Sequence, residues 1–124
     1  MLAAAPALAA DLRLSLIGAP EGTVYAELHA LPAENWDGEP VQRQAGRETL
    51  LFRDLPAGRY AVRLFVDLNE NHQLDLSRRG IPKEPVGFSA NPSLAEGLPT
   101  PEAAAFEHGE EDSLQLVRLR QERR

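Results

Sequence analysis

Residues 55–67 read LPAGRYAVRLFVD, and the fold follows from how this run is parsed. Pro56, Ala57 and Gly58 make a tight turn, because proline presets one φ and glycine accepts conformations other residues avoid. Beyond the turn, Tyr60, Val62, Leu64 and Val66 recur at every second position and so line the inner face of one long strand. Tyr60 stands just inside that strand, where sandwich proteins send a tyrosine hydroxyl back to the backbone upstream.

The same period-two signal recurs on both sides. Upstream, DLRLSLI (11–17) sets Leu12, Leu14 and Leu16 against Arg13 and Ser15, and TVYAELHAL (23–31) sets Val24, Ala26 and Leu28 against Tyr25, Glu27 and His29. With APEG between them, these two runs read as a hairpin. ETLLFRDL (48–55) supplies a third strand, whereas residues 32–47 show no period and read as a long connection anchored by Trp36. Downstream, residues 78–106 are crowded with Pro and Gly and read as irregular. FEHGEEDSLQLVRLR (106–120) reads as strand, acidic turn and strand, with Leu114 and Leu116 set against Ser113 and Gln115.

About seven short strands separated by turns imply an all-β chain, an immunoglobulin-like antiparallel β-sandwich. Residues 11–120 form one domain, followed by a frayed tail at 121–124. The 124 residues include 10 Pro and 9 Gly, which suits short elements, and no Cys, which excludes disulfide and thiolate chemistry. A net charge of -6 argues against nucleic acid as a partner, since phosphate binding needs a concentrated basic face. No run reaches the ~18 apolar residues of a membrane span. Residues 1–10, MLAAAPALAA, resemble the small-residue end of a secretory signal without its cationic start, or else a disordered Ala-rich tail. The first reading makes the protein periplasmic or secreted.

The long strand runs directly into DLNENHQLD (67–75), and here two readings compete. Calcium takes six to eight oxygens, and side chains at loop positions 1, 3 and 5 supply three of them from Asp67, Asn69 and Asn71. The Gln73 carbonyl falls at position 7 and Asp75 at position 9. Position 12 is Arg78 rather than the closing glutamate of an EF-hand, so a second acid must close the cage. Glu84 is the candidate, brought back by the proline-stiffened segment after the loop, with Asp54 or a carboxylate of the second strand as substitutes. Two loop carboxylates place the affinity for Ca²⁺ near 10⁻⁴ to 10⁻³ M, at roughly the extracellular end of the range. The competing reading is a polar turn whose Asx side chains cap backbone N–H groups and need no ion.

Other groups offer less. His29, His72 and His108 lack zinc-like spacing. The EHGEED segment (107–112) reads as a solvated turn, and Ser89 lacks the frame of a nucleophile elbow. Trp36, Phe65 and Phe88 could form a sugar platform, but a chain with 6% aromatic residues needs them first as core.

Three blocks in order resemble DUF2141, a family of exported bacterial proteins of unknown function. They are the turn and strand at Leu55, Pro56, Gly58, Tyr60, Ala61 and Val62; the loop at Asp67, Asn69, Asn71, Leu74 and Asp75; and GIPKEPVGFS at 80–89, with a looser tail at Pro101, Glu102, Ala104 and Phe106. The resemblance implies a prealbumin-like or immunoglobulin-like sandwich in the periplasm and no known catalytic residues. The chain departs from the family pattern at His72, where the loop carries glycine. The expectation is a non-catalytic binding or structural module with a Ca²⁺-stabilised loop, its partner an envelope protein or a glycan. The alternatives are a carbohydrate- or ligand-binding envelope protein and a small transthyretin-like hydrolase.

Overall fold

The structure, a computed structural model, describes residues 9–18, 20–74, 84–95 and 97–120. Its strands are β1 (Ala9–Ile17), β2 (Thr23–Ala30), β3 (Gln42–Gly46), β4 (Thr49–Pro56), β5 (Gly58–Asp67), β6 (Val86–Phe88), β7 (Phe106–His108) and β8 (Ser113–Arg118), with a 3₁₀ turn at Glu102–Ala104. One sheet runs β4-β1-β8 and the other β3-β2-β5-β6, with β7 also paired to β5. Among the described residues, no helix is long and apolar enough to cross a membrane.

The alternating positions face each other across a single core. Leu12, Leu14, Leu50, Phe52 and Val117 come from the three-stranded sheet, and Val24, Ala26, Leu28, Val62, Leu64 and Val66 from the five-stranded one. Burial of each such side chain is worth about 1.5–3 kcal/mol, so this cluster carries the fold. The Tyr60 hydroxyl donates to the Pro56 carbonyl at 2.6 Å, as the LPAGRY turn predicts. Burial raises the pKa of that hydroxyl.

Several expectations about pairing are corrected. The first two strands are not a hairpin: β1 pairs with β4 and β8, while β2 pairs with β3 and β5. Both strands need one face buried, and opposing them across the core satisfies that as well as laying them side by side. The sandwich is not wholly antiparallel either, since β1 and β8 run parallel, Leu12 opposite Ser113 through Ile17 opposite Arg118. For the same reason the acidic turn before β8 joins two sheets rather than tipping a hairpin: β7 adds to β5, and β8 to β1. The long connection after β2 holds a further strand, β3, at the sheet edge. Leu114 and Leu116 face solvent at 54% and 51% exposure, while Ser113, Gln115 and Val117 take the more buried positions.

Two polar devices close the sandwich. His108 is buried, and its Nε2 lies 3.1 Å from the Ala10 carbonyl and 3.0 Å from that of Leu55, joining β7 to β1 and β4. Carbonyls only accept, so Nε2 carries the hydrogen and Nδ1 accepts from the Ser113 hydroxyl at 2.6 Å. Across the molecule, the Asn91 side chain caps the outer edge of β8, donating to the Leu116 carbonyl at 2.9 Å and accepting from Arg118 N–H at 2.8 Å.

Gly87 explains part of the GIPKEPVGFS block. A Cβ there would lie 2.7 Å from Val117 Cγ1 and 2.9 Å from Leu64 Cδ1, because β6 passes against the core between the two sheets. Gly87→Ala is therefore expected to destabilise the fold by about 1–3 kcal/mol through overpacking. Chemical denaturation would check this, and an unchanged midpoint would mean that β6 moves outward freely.

Candidate functional site

The outer face of the five-stranded sheet carries the site, and cross-strand register builds it. One row sets Ala45, Tyr25, Phe65 and Val86 side by side across β3, β2, β5 and β6. The next sets Arg43, Glu27, Arg63 and Phe88 in the same order. The connection after β2 folds over one end, where Trp36 is buried and its indole N–H donates to the Pro99 carbonyl at 2.9 Å. The anchoring role expected for Trp36 is what the structure shows. Trp36, Ala61, Val86, Phe88 and Ala104 form a second small core beneath these segments, with Phe65 and Leu74 packed against it. Trp36 and Phe88 are thus core residues rather than an exposed sugar platform.

Between the covering segments lies a cleft of about 540 Å³, with the two rows as its floor and Trp36, Leu98 and His72–Leu74 as its walls. Its polar centre is Glu27. One oxygen of this carboxylate accepts from His29 Nε2 at 2.9 Å and from Arg63 Nε at 2.9 Å, while Arg43 stands 3.9 Å from the other. Arg63 is held further by a 3.4 Å bond to the Trp36 carbonyl and by the Trp36 ring, 5.5 Å away. Burial raises the Glu27 pKa, but the hydrogen bonds from His29 and Arg63, with the Arg63 charge, outweigh it and leave the group below the ordinary 4.5.

A carboxyl depressed in the folded state adds stability above its unfolded pKa and loses it as pH falls through the folded value. The Glu27 contribution should therefore be present at neutral pH and fade below about pH 4.5. Melting curves between pH 7 and pH 3 are expected to fall less steeply at the acid end for Glu27→Gln than for the parent protein. Parallel acid limbs would count against this assignment.

One wall of the cleft is the Asx loop. Asp67 ends β5 and is buried; its two oxygens accept from Asn71 N–H at 3.3 Å and His72 N–H at 2.9 Å. The Asn69 side chain accepts from Asn71 N–H at 3.4 Å, and that of Asn71 from Gln73 N–H at 3.0 Å. Glu84 folds back beside the loop as its sequence position suggests; it is buried and accepts from Leu68 N–H at 2.7 Å. Asp75 lies outside the described residues. Asp54 is at the β1–β4 irregularity, where its N–H donates to Asp11, in the other sheet from the loop.

His72 and Glu70 hold φ values of 64 and 57, the left-handed region that glycine enters freely. His72 does so while its Nδ1 shares a hydrogen bond with the Tyr25 hydroxyl at 3.0 Å, which turns the imidazole towards the floor of the cleft. The oxygen-only donor set of this corner fits a hard cation such as Ca²⁺ in chemical type. The described contacts of those oxygens are hydrogen bonds to backbone N–H groups, as in a polar turn. Among the described residues, no three His, Asp or Glu side chains converge as a metal-ligating group. His29, His72 and His108 are engaged separately, by Glu27, Tyr25 and Ser113. The Ser89 hydroxyl is buried, accepting from Val62 N–H and donating to the Ala104 carbonyl.

The cleft was not legible as a motif, because its residues are the outward positions of separate strands. Tyr25, Glu27, Arg63 and Phe65 meet only once the β2–β5 register is known. No curated protein and no solved structure matches the chain. A family model does, over residues 15–115, and the chain accordingly belongs to DUF2141, described as an uncharacterized protein conserved in bacteria.

Proposed function

We propose that the protein is a non-catalytic, exported binding module that takes a small ligand on the outer face of its five-stranded sheet. The observation that carries this reading is the cleft of about 540 Å³, a size typical of small-molecule sites, with an apolar floor around a few fixed polar groups. The scaffold is read as an immunoglobulin-like or prealbumin-like sandwich, supported by the two facing sheets and the Tyr60–Pro56 bond. Export is supported by the small-residue opening of the sequence. The non-catalytic reading rests on Glu27, whose carboxylate is already shared by His29 and Arg63 rather than poised on a nucleophile. A panel of ring-containing fragments should shift the indole N–H resonance of Trp36, the chain's one tryptophan, in a saturable way. A panel that leaves it unmoved at millimolar concentration would refute the binding reading, and turnover of bound esters or amides would refute the non-catalytic one.

A second reading concerns the wall. Asp67 and Glu84 are buried at one corner, with exposures of 3% and 4%, and a Ca²⁺ ion there would offset their charge and stiffen the loop. At the weak affinity of roughly 10⁻³ to 10⁻⁴ M, 10 mM Ca²⁺ would add about 1.4–2.7 kcal/mol over an EDTA-treated sample. Thermal melts should then rise by roughly 5–10 °C. Identical midpoints with EDTA and with Ca²⁺ would leave the polar turn as the whole account.

A further inference from the structure

We infer that the ligand of the cleft is a flat, largely apolar ring system bearing one anionic group, a carboxylate held by Arg43 and Arg63. This rests on the cleft being a ligand site and names the chemistry it selects. Two guanidinium groups reach the floor against one carboxylate, in a chain whose net charge is -6. Glu27 does not cancel both. Its close contacts, at 2.9 Å, are to His29 and Arg63, and Arg43 remains at 3.9 Å with a side chain 61% exposed. Glu39, the other partner of Arg43 at 3.8 Å, is 87% exposed and does not line the cleft.

The two arginines stand on either side of Glu27 on the flanking strands, roughly 10 Å apart at the backbone, so a ligand carboxylate above that row takes the arginine N–H groups that Glu27 leaves open, not the place Glu27 fills. Among the described residues, two of the five Arg63 N–H groups have partners, Glu27 and the Trp36 carbonyl. Those bonds and the indole face hold the guanidinium in one orientation, leaving its other donors for a planar, bidentate acceptor. Beside this cationic row lies the aromatic one, with Tyr25 and Phe65 rings 5.7 Å apart and His72 5.5 Å from Tyr25. A ring lying on the Tyr25–Phe65 row places a substituent over the Arg63–Arg43 row, one residue pair along the strands.

A neutral sugar is disfavoured by the same geometry. The Trp36 ring that would stack on it is buried against Phe88, 5.9 Å away, and the arginine N–H groups that Glu27 leaves open would lose water without a charged acceptor in return.

The test compares 2-naphthoate with its neutral isostere 2-naphthamide on the full chain, by calorimetry for affinity and by the Trp36 indole resonance for location. The carboxylate should bind about tenfold or more tightly, the worth of one charge-assisted hydrogen bond. Raising the salt to 0.5 M should shrink that ratio, roughly as screening of exposed charges requires. Arg43→Gln, at an exposed side chain, should lower naphthoate affinity about tenfold and leave naphthamide unchanged, whereas Phe65→Leu should weaken both alike. Equal binding of acid and amide at Trp36, or an Arg43→Gln variant with an undiminished preference for the acid, overturns the anion assignment and leaves the cleft reading standing. If neither compound nor any fragment of the wider panel moves the Trp36 resonance, both fall.

Discussion

Replacing His108 with alanine is expected to cost about 3–5 kcal/mol, a large share of the 5–15 kcal/mol that holds an ordinary domain together. Two terms add. The imidazole is almost fully buried, so its removal leaves a cavity, and the Ala10 and Leu55 carbonyls and the Ser113 hydroxyl all lose a partner. The melting midpoint should fall by roughly 10–20 °C. His108→Gln, which keeps a donor near the two carbonyls, should recover part of the loss. Removing the Tyr60 hydroxyl gives the scale for comparison: Tyr60→Phe breaks one bond, to Pro56, and should cost only about 1 kcal/mol. A His108→Ala loss no larger than that of Tyr60→Phe would show that water re-satisfies the carbonyls, and that the histidine is not the clasp between β7, β1 and β4.

Asp67→Ala is expected to cost about 2–4 kcal/mol, because a buried carboxylate accepting two backbone N–H bonds is deleted, leaving His72 N–H without that acceptor and Asn71 N–H with only its long bond to Asn69. The effect should be local in kind. Hydrogen exchange at Asn71 and His72 should accelerate strongly while the amides of β1 and β4 keep their relative protection. Asp67→Asn separates shape from chemistry: it fills the same space but turns an NH₂ towards one of the two donors, so its stability should fall between parent and alanine. Unchanged exchange at Asn71 and His72 in the alanine variant would sink the assignment. Because His72–Leu74 wall the cleft, the same variant should also weaken ligand binding without touching the arginines.

What could be read from the sequence was local. The strands β1, β2 and β5 carry apolar residues at alternate positions and β4 a short apolar run, and each appears where the sequence puts it. So does the Tyr60 bond, which depends on residues four apart. Partner choice was not local. A short polar link such as APEG serves equally for a hairpin or for a crossing between sheets, and the decision rests with β4, β5 and β8, which arrive later. β3, QRQAG, was hidden because an exposed edge strand buries too little to imprint a period. At β8 tertiary contacts set the phase: leucines usually point inward, but here Ser113 meets His108 and Val117 meets the core, which turns Leu114 and Leu116 out. The Asx loop was legible because its spacing is its structure; Glu84 stands beside it through its bond to Leu68 N–H. Beyond that spacing the cleft had no signature.

The adjacency of β1 and β8 has a kinetic consequence. Asp11 and Asp112, 101 residues apart, already touch at the start of that pairing, so one of the two pairings in the three-stranded sheet joins residues from opposite ends of the described chain. Such topologies close slowly, in roughly milliseconds to seconds, since the loop must be gathered before any pairing rewards it. Until β8 docks, β1 presents a bare hydrogen-bonding rim that another copy could capture. Once it docks, the Asn91 amide occupies the Leu116 carbonyl and the Arg118 N–H on the new rim, so that stretch is closed to another copy.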